Sequence, residues 1–282
     1  MIMEIQDPAA LYGYEQKFPF PYHFPTSSAQ WERSMFRDTD GAGRRLFREL
    51  KTIAAVEDGE IVGYAQYGRT AFGFDDSGEI SERVSYPVIR MLWFDENREE
   101  AGSQLLRWAL RAFAGEDRVY AFFHYFGMSC YARHGKLFEG FGYIDGLLRQ
   151  FGFSVEHENV YYSSSLADAP GTDIRIAWGE KTAGGQRTAH FFDGEQCVGE
   201  CEVHFVSEEI AYLRWIYVSA PLQNRGIGSR CIRSLRNALA EEGFSRLDTD
   251  TAVGNLRARH LYEKNGFSRE GITRSYYRDF SE

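Results

Sequence analysis

Cysteine is scarce in this sequence, with four in 282 residues, at positions 130, 197, 201 and 231. They form no Cys-x-x-Cys pair and no Cys/His cluster with zinc spacing, which excludes a disulfide-held scaffold and a zinc module; no metal is expected. Cys197 and Cys201 fall in a strand-like stretch where four residues span roughly 13 Å, beyond the ~7 Å reach of a disulfide between Cα atoms, so reduced, buried thiols are expected. Positive charge is also short. Lys and Arg number 32 against 41 Asp and Glu, a formal net charge of −9. That balance excludes a general nucleic-acid binder, which needs a basic stripe to displace counterions, and suits a cationic substrate. Long apolar runs are missing too. The longest nearly apolar stretch, 119–128, is about half the ~20 residues of a membrane-spanning helix and reads as a buried strand. Residues 1–10 carry neither a basic n-region nor an apolar h-region, so a cytoplasmic chain without membrane association is expected.

Aromatic residues are plentiful: 22 Phe and 17 Tyr contribute to an aromatic share of 16% and an apolar share of 43%. Such a chain buries a real core, and at roughly 100–200 residues per domain its length allows two domains. Two fragments recur in the same order. Asp58-Gly59-Glu60 before Ile61-Val62-Gly63 reappears as Asp193-Gly194-Glu195 before Cys197-Val198-Gly199, each a hairpin signal. Leu147-Leu148-Arg149-Gln150-Phe151-Gly152-Phe153 parallels Leu261-Tyr262-Glu263-Lys264-Asn265-Gly266-Phe267, each a helix end. Two related α/β domains follow, 1–166 and 170–282, joined near the Ser- and Ala-rich stretch 163–171.

In the first half, the aromatic and proline run 18–25 excludes a regular helix, and helices are expected at 28–36 and 44–50. Strands are expected at 52–56, 61–67 and 88–94, and a helix at 102–113. In the second half, strands are expected at 173–177, 188–192, 198–205, 211–218 and 247–251. Helices are expected at 228–241 and 256–264, and a strand at 272–280 closes that domain.

The strongest chemical signal is Gln223-Asn224-Arg225-Gly226-Ile227-Gly228, where an apolar strand hands over to a helix. Glycines there let the backbone approach a ligand, and the unpaired N–H groups of the first helical turn point at it. The helix dipole, Arg225 and Arg230 favour an anion, and a pyrophosphate fits. A P-loop is excluded, because Gly228 is followed by Ser229-Arg230 rather than Lys-Ser/Thr. A dinucleotide fingerprint fares little better, since Cys231 stands where a third small residue is wanted.

Gln/Arg-x-x-Gly-x-Gly/Ala after a strand resembles the acyl-coenzyme A signature of the GNAT (GCN5-related N-acetyltransferase) superfamily. Asn255-x-x-Ala258-x-x-Leu261-Tyr262-x-x-x-Gly266-Phe267 is similar to that family's next helix. The resemblance implies two tandem GNAT-like domains, each a mixed, mostly antiparallel twisted sheet flanked by helices, with acetyl-CoA bound by the second. It implies that backbone N–H groups of Arg225, Gly226, Ile227, Gly228 and Ser229, with Gln223 and Asn224 in the same loop, hold the pyrophosphate. Ile216, Tyr217 and Val218 would pair with the pantetheine arm, and Asn255 would hydrogen-bond it. Tyr262 would bind beside the thioester and protonate the departing thiolate.

The general base stays open. A carboxylate often stands where this chain has Tyr212, and Glu200, Glu202 and His204 share one face of the neighbouring strand, with Glu202 and Glu200 the candidates carried forward. The counterpart loop in the first half, Arg98-Glu99-Glu100-Ala101-Gly102-Ser103, puts paired glutamates where a pyrophosphate would sit. Leu148 and Phe141 replace Tyr262 and Asn255. Cofactor binding is therefore not expected there, and Tyr22, Phe24, Tyr125 and Tyr131 are expected to wall an acceptor pocket. The expected function is acetyl transfer from acetyl-CoA to a primary amine of a small molecule or peptide, by a monomer or homodimer. The alternatives are a non-catalytic acyl-CoA sensor or scaffold and a protein-interaction module.

Overall fold

The computed structural model describes residues 1–5, 8–40, 42–167, 171–182 and 185–280. The elements run β1 (Ile2–Glu4), α1 (Pro8–Glu15), α2 (Ser28–Phe36), β2 (Phe47–Glu57), β3 (Glu60–Thr70), β4 (Gly73–Phe74), β5 (Ile80–Ser81), β6 (Pro87–Phe94), α3 (Glu99–Arg111), β7 (Arg118–Ala121), β8 (Leu137–Phe138) and α4 (Gly142–Gln150). They continue with β9 (Ser154–Ser165), β10 (Arg175–Lys181), β11 (Gln186–Asp193), β12 (Gln196–Phe205), β13 (Ile210–Val218), α5 (Ile227–Glu241), β14 (Arg246–Ala252), α6 (Leu256–Lys264) and β15 (Ser268–Asp279).

The chain divides into two compact units. The first contains Met1–Asp40, Arg44–Glu158 and Thr273–Glu282, and the second contains Asn159–Ile272. These units cut across a linear division near residue 166, because β9 and β15 each begin in one unit and end in the other.

In the first unit the strand order is β1-β2-β3-β6-β7-β15, antiparallel except for the parallel pair β6·β7. The second has the order β9-β14-β13-β12-β11-β10, antiparallel except for the parallel pair β13·β14. Each is a mixed sheet with helices, the α/β class expected.

The helix-end fragments share a backbone, but the hairpins turn differently, at Asp58-Gly59 and at Gly194-Glu195, where of the second pair only Gly194 takes positive φ. Asp58 and Gly59 both take positive φ, 50° and 85°, as a two-residue hairpin turn of the primed type requires. At the helix ends, Gly152 has φ 80° and Gly266 has φ 82°. Phe153 N–H donates to Leu148 O at 3.0 Å, and Phe267 N–H donates to Tyr262 O at 3.1 Å, so both helices stop in the same left-handed cap.

Helix α5 buries Ile227, Cys231, Ile232, Leu235 and Leu239. These close over Phe191, Val203, Leu213 and Leu247 from the strands to make the core of the second unit. Removing such apolar surface from water drives this packing at about 25 cal/mol per Å².

Three sequence expectations are corrected. Residues 44–50 are not a helix, since β2 starts at Phe47 and pairs with β3. A bulge between Phe47 and Glu49 breaks the strand alternation and imitates helical spacing. The strand in 119–128 ends at Ala121, because Phe122 turns to φ 51°. The strand expected at 272–280 is β15, but Tyr276 and Tyr277 pair with Ala121 and Tyr120 of β7, so that part closes the first unit's sheet. Among the cysteines, all free, Cys201 and Cys231 are buried, Cys130 is half-buried, and Cys197 is exposed rather than buried.

Candidate functional site: a cleft where two parallel strands part

Strands β13 and β14 hold a parallel register from Ile210↔Arg246 to Leu213↔Thr249 and no further. Beyond that rung β13 stays bonded to β12, through Trp215↔Glu202, Ile216↔Cys201, Tyr217↔Glu200 and Val218↔Gly199. The register slips at Arg214, a bulge that adds bend and twist at the point of separation. The backbone edge of β13 facing β14 is thus left without a strand partner, a template for any extended amide-bearing chain.

The strand runs into a bend built from two left-handed residues, Asn224 at φ 61° and Gly226 at φ 79°. Gly226 is the N-cap of α5 and offers no side chain to the first turn, so the amides that follow are left for a ligand. Gln223 Nε2 donates to Val218 O at 2.9 Å and ties the bend to the strand end. Gly228 lies against α6: a Cβ there would stand 3.4 Å from Leu261, so the small residue permits close helix packing.

Between these parts lies a cleft of about 550 Å³. Ile216, Val218, Gln223, Asn224, Gly226, Gly228, Ser229 and Asn255 line it, with Arg257, His260, Leu261 and Lys264 along α6. The expected cofactor residues are thereby largely brought together. Tyr217 is half exposed, Ile227 turns into the core and Arg225 is exposed, and none of these three lines the cleft.

Several roles need adjustment. Arg230 is no anion ligand, since its guanidinium bonds Asp173 at 2.5 Å and Asp193 at 2.9 Å, pinning the start of α5 to the β10–β11 side. Asn255 caps α6, its Oδ1 accepting from Ala258 N–H at 3.2 Å. Ser229 Oγ accepts from Asn265 Nδ2 at 3.0 Å.

Tyr262 does not line the cleft. It is buried in the core, ringed by Tyr162 and Phe267, with its hydroxyl beside Thr249, the last rung of the parallel pair. Burial pushes its pKa up to about 12 against the opposing Thr249 hydroxyl, so the phenol is a neutral proton donor at any ordinary pH.

Glu202 bonds Arg214 at 2.9 Å, Glu200 lies 3.5 Å from His190, and His204 is buried. In the first unit, Tyr22, Phe24 and Tyr131 are buried core residues, and Tyr125 is half exposed.

A second carboxylate set was missed by sequence reasoning. On β14, Asp248 and Asp250 alternate with Leu247, Thr249 and Thr251 and share the face of Tyr212. Tyr212 Oη donates to Asp250 Oδ1 at 2.5 Å, and Asn159 Nδ2 donates to Oδ2 at 2.5 Å. Asp248 is fully buried, holding Tyr161 Oη at 2.7 Å and both Arg246 nitrogens at 2.6 and 2.7 Å. Desolvation outweighs these partners and raises its pKa to about 6. The available signal was the Asp-x-Asp alternation in a short strand.

The counterpart strands β6 and β7 also pair over two rungs only, Val88↔Tyr120 and Ile89↔Ala121. There the Phe94 ring packs on α3: a Cβ on Gly102 would come within 2.6 Å of it. Glu99 and Glu100 occupy the first turn of α3.

A mixed sheet with a parted parallel pair, followed by a glycine bend opening a helix, defines an α/β protein with an open cleft beside an unpaired strand edge. Residues 154–267 match the model of the Acetyltransferase (GNAT) family, and the chain carries a GNAT domain there. Solved structures agree over nearly the whole length. The GCN5-related N-acetyltransferase from Sphaerobacter thermophilus is 13% identical, covers 99% of this chain and 95% of its own, and superposes with a TM-score of 0.62. A tandem GNAT protein from the clavulanic acid biosynthesis pathway is 10% identical, with coverage of 99% and 98% and a TM-score of 0.65. An acetyltransferase of the GNAT family from Colwellia psychrerythraea is 10% identical, with coverage of 99% and 99% and a TM-score of 0.56. At these identities the likeness is one of fold. No curated protein sequence matches the chain.

Proposed function

We propose that the chain is an acyl-CoA-dependent N-acyltransferase that moves an acetyl or short acyl group to an amine. The observation that carries this reading is the cleft between β13, α5 and α6, in which an unpartnered strand edge leads to uncapped amides at Gly226. A pantetheine arm carries amides that match the edge, and a pyrophosphate matches the bend. The GNAT domain at 154–267 supports N-acetyltransferase activity in general.

In this reading the thioester lies near the Leu213↔Thr249 rung. Neutral amine nitrogen attacks the carbonyl carbon, the N–C bond forms, and the C–S bond breaks. Backbone N–H of the Ile216 strand polarises the carbonyl oxygen, and Tyr262 protonates the leaving thiolate.

Asp250 is the carboxylate suited to take the amine's proton. It is the first residue of β14 past the last rung, and Tyr212 and Asn159 fix both of its oxygens. Glu202 and Glu200 sit one strand further from β14 and are already engaged by Arg214 and His190. The first unit, with Glu99 and Glu100 in the first turn of its counterpart helix, binds no acyl-CoA in this proposal.

Thiol release from acetyl-CoA across a panel of amines tests the reading. Tyr262→Phe should lower kcat by about 10²-fold, a typical contribution of a positioned acid, with CoA affinity unchanged. Asp250→Asn should lower kcat/KM most at neutral pH and less as alkaline pH deprotonates the amine, whereas Glu202→Gln should leave the profile intact. CoA binding by calorimetry without turnover on any amine would instead favour a non-catalytic acyl-CoA sensor.

A further inference from the structure

His124, Glu156 and His157 are separated in sequence but meet in the first unit. His124 stands in the loop opened by the left-handed Phe122, and Glu156 and His157 are consecutive on β9. Their ligand atoms all lie within 4.8 Å of one another. Glu156 Oε2 is 4.0 Å from His124 Nδ1, and Glu156 Oε1 is 3.9 Å from His157 Nε2. The two imidazoles cross at 83° with centroids 4.5 Å apart, meeting edge to face instead of stacking. Bonds of about 2.0–2.1 Å to a tetrahedral ion put ligand atoms about 3.4 Å apart, so the side chains need to close by at most about 1.4 Å.

The surroundings support a built site. Ser275 Oγ donates to Glu156 Oε2 at 3.2 Å, the kind of outer bond that orients a metal-binding carboxylate. The Tyr125 ring, 3.9 Å from that of His124, restricts the imidazole's rotation. Side-chain exposure rises from 16% at His124 through 21% at Glu156 to 52% at His157, so the cluster is walled on one side and open on the other. Two other cations act on Glu156, Arg118 and Lys136, and Arg118 is matched by Asp279, at 2.5 and 3.0 Å, which lowers its opposition to a bound dication.

Two imidazoles with one carboxylate suit borderline ions such as zinc, while magnesium and calcium ask for more oxygen ligands. We propose that His124, Glu156 and His157 form a three-ligand site for a divalent transition-metal ion, zinc by preference, with a fourth position open to water. The set escapes sequence inspection because 32 residues separate His124 from Glu156 and only the fold unites them. It is independent of acyl transfer.

The test uses the full chain after chelator treatment. Cobalt titration should give the visible absorption of a tetrahedral centre at one equivalent, and zinc should displace it. His157→Ala, at a half-exposed position, and Glu156→Gln should each weaken zinc at least tenfold in a chromophoric-chelator competition while circular dichroism stays unchanged. Failure of the wild type to take up stoichiometric zinc would overturn the proposal. Equal affinity in wild type and His157→Ala would also overturn it, by placing the ion on other residues.

Discussion

Asp248 shows how burial sets a side chain's charge. Its carboxyl is closed in with Tyr161 and Arg246, and its pKa of about 6 lies above the ordinary aspartate value of 3.8. Between those values the native state binds more protons than the unfolded chain, so this residue adds stability below about pH 4 and loses it as pH rises through 6. Comparing wild type with Asp248→Asn isolates the group. The melting-temperature difference should move in favour of wild type as pH falls from 7 to 5, and a constant difference would show that Asp248 is ionised throughout. Tyr262 follows the same physics: desolvation holds the phenol neutral, as the proton donor of the proposed function must be.

At the scale of elements, the start of α5 divides two jobs that a sequence reading merges. In the proposed function Gly226 serves the ligand, its left-handed backbone opening the first turn of the helix. Arg230 serves the scaffold, through Asp173 and Asp193. Gly226→Ala should therefore cost about 1 kcal/mol of stability from the left-handed strain and also weaken CoA in calorimetry. Arg230→Ala should leave the CoA Kd within about threefold, as expected of a surface ion-pair residue outside the cleft, with a small fall in melting temperature.

This division also explains what was legible. The bend, α5 and α6 could be read because glycine φ, capping and helical spacing are local properties of consecutive residues. The Tyr212–Asp250 pair, the zinc ligands and the pairing of β15 with β7 could not, because each depends on which distant strands become neighbours. The misread 44–50 segment belongs to the second kind, since a bulge opposite β3 altered its spacing.

At the scale of the whole molecule, the two halves repeat an order of strand, helix, strand, helix, strand, yet each sheet takes its end strand from the other half's sequence. Asn159 to Ser165 complete the second unit beside β14, and Tyr276 to Asp279 complete the first beside β7. A chain ending at residue 272 should thus damage the first unit, although the missing residues follow the GNAT domain. Hydrogen exchange should show protection lost at Val119 and Tyr120 while the β12–β13 amides keep theirs; protection retained at β7 would argue against a need for β15.

The exchanged end strands also set the timing of folding during synthesis. Because Tyr276 and Tyr277 emerge from the ribosome about 155 residues after the β7 residues they pair with, the half that is translated first cannot finish its sheet until the second half has been made. Throughout that interval a nascent chain of this kind has the β15-facing edge of β7 uncovered, so its yield should depend on chaperone supply more than the native fold alone would suggest.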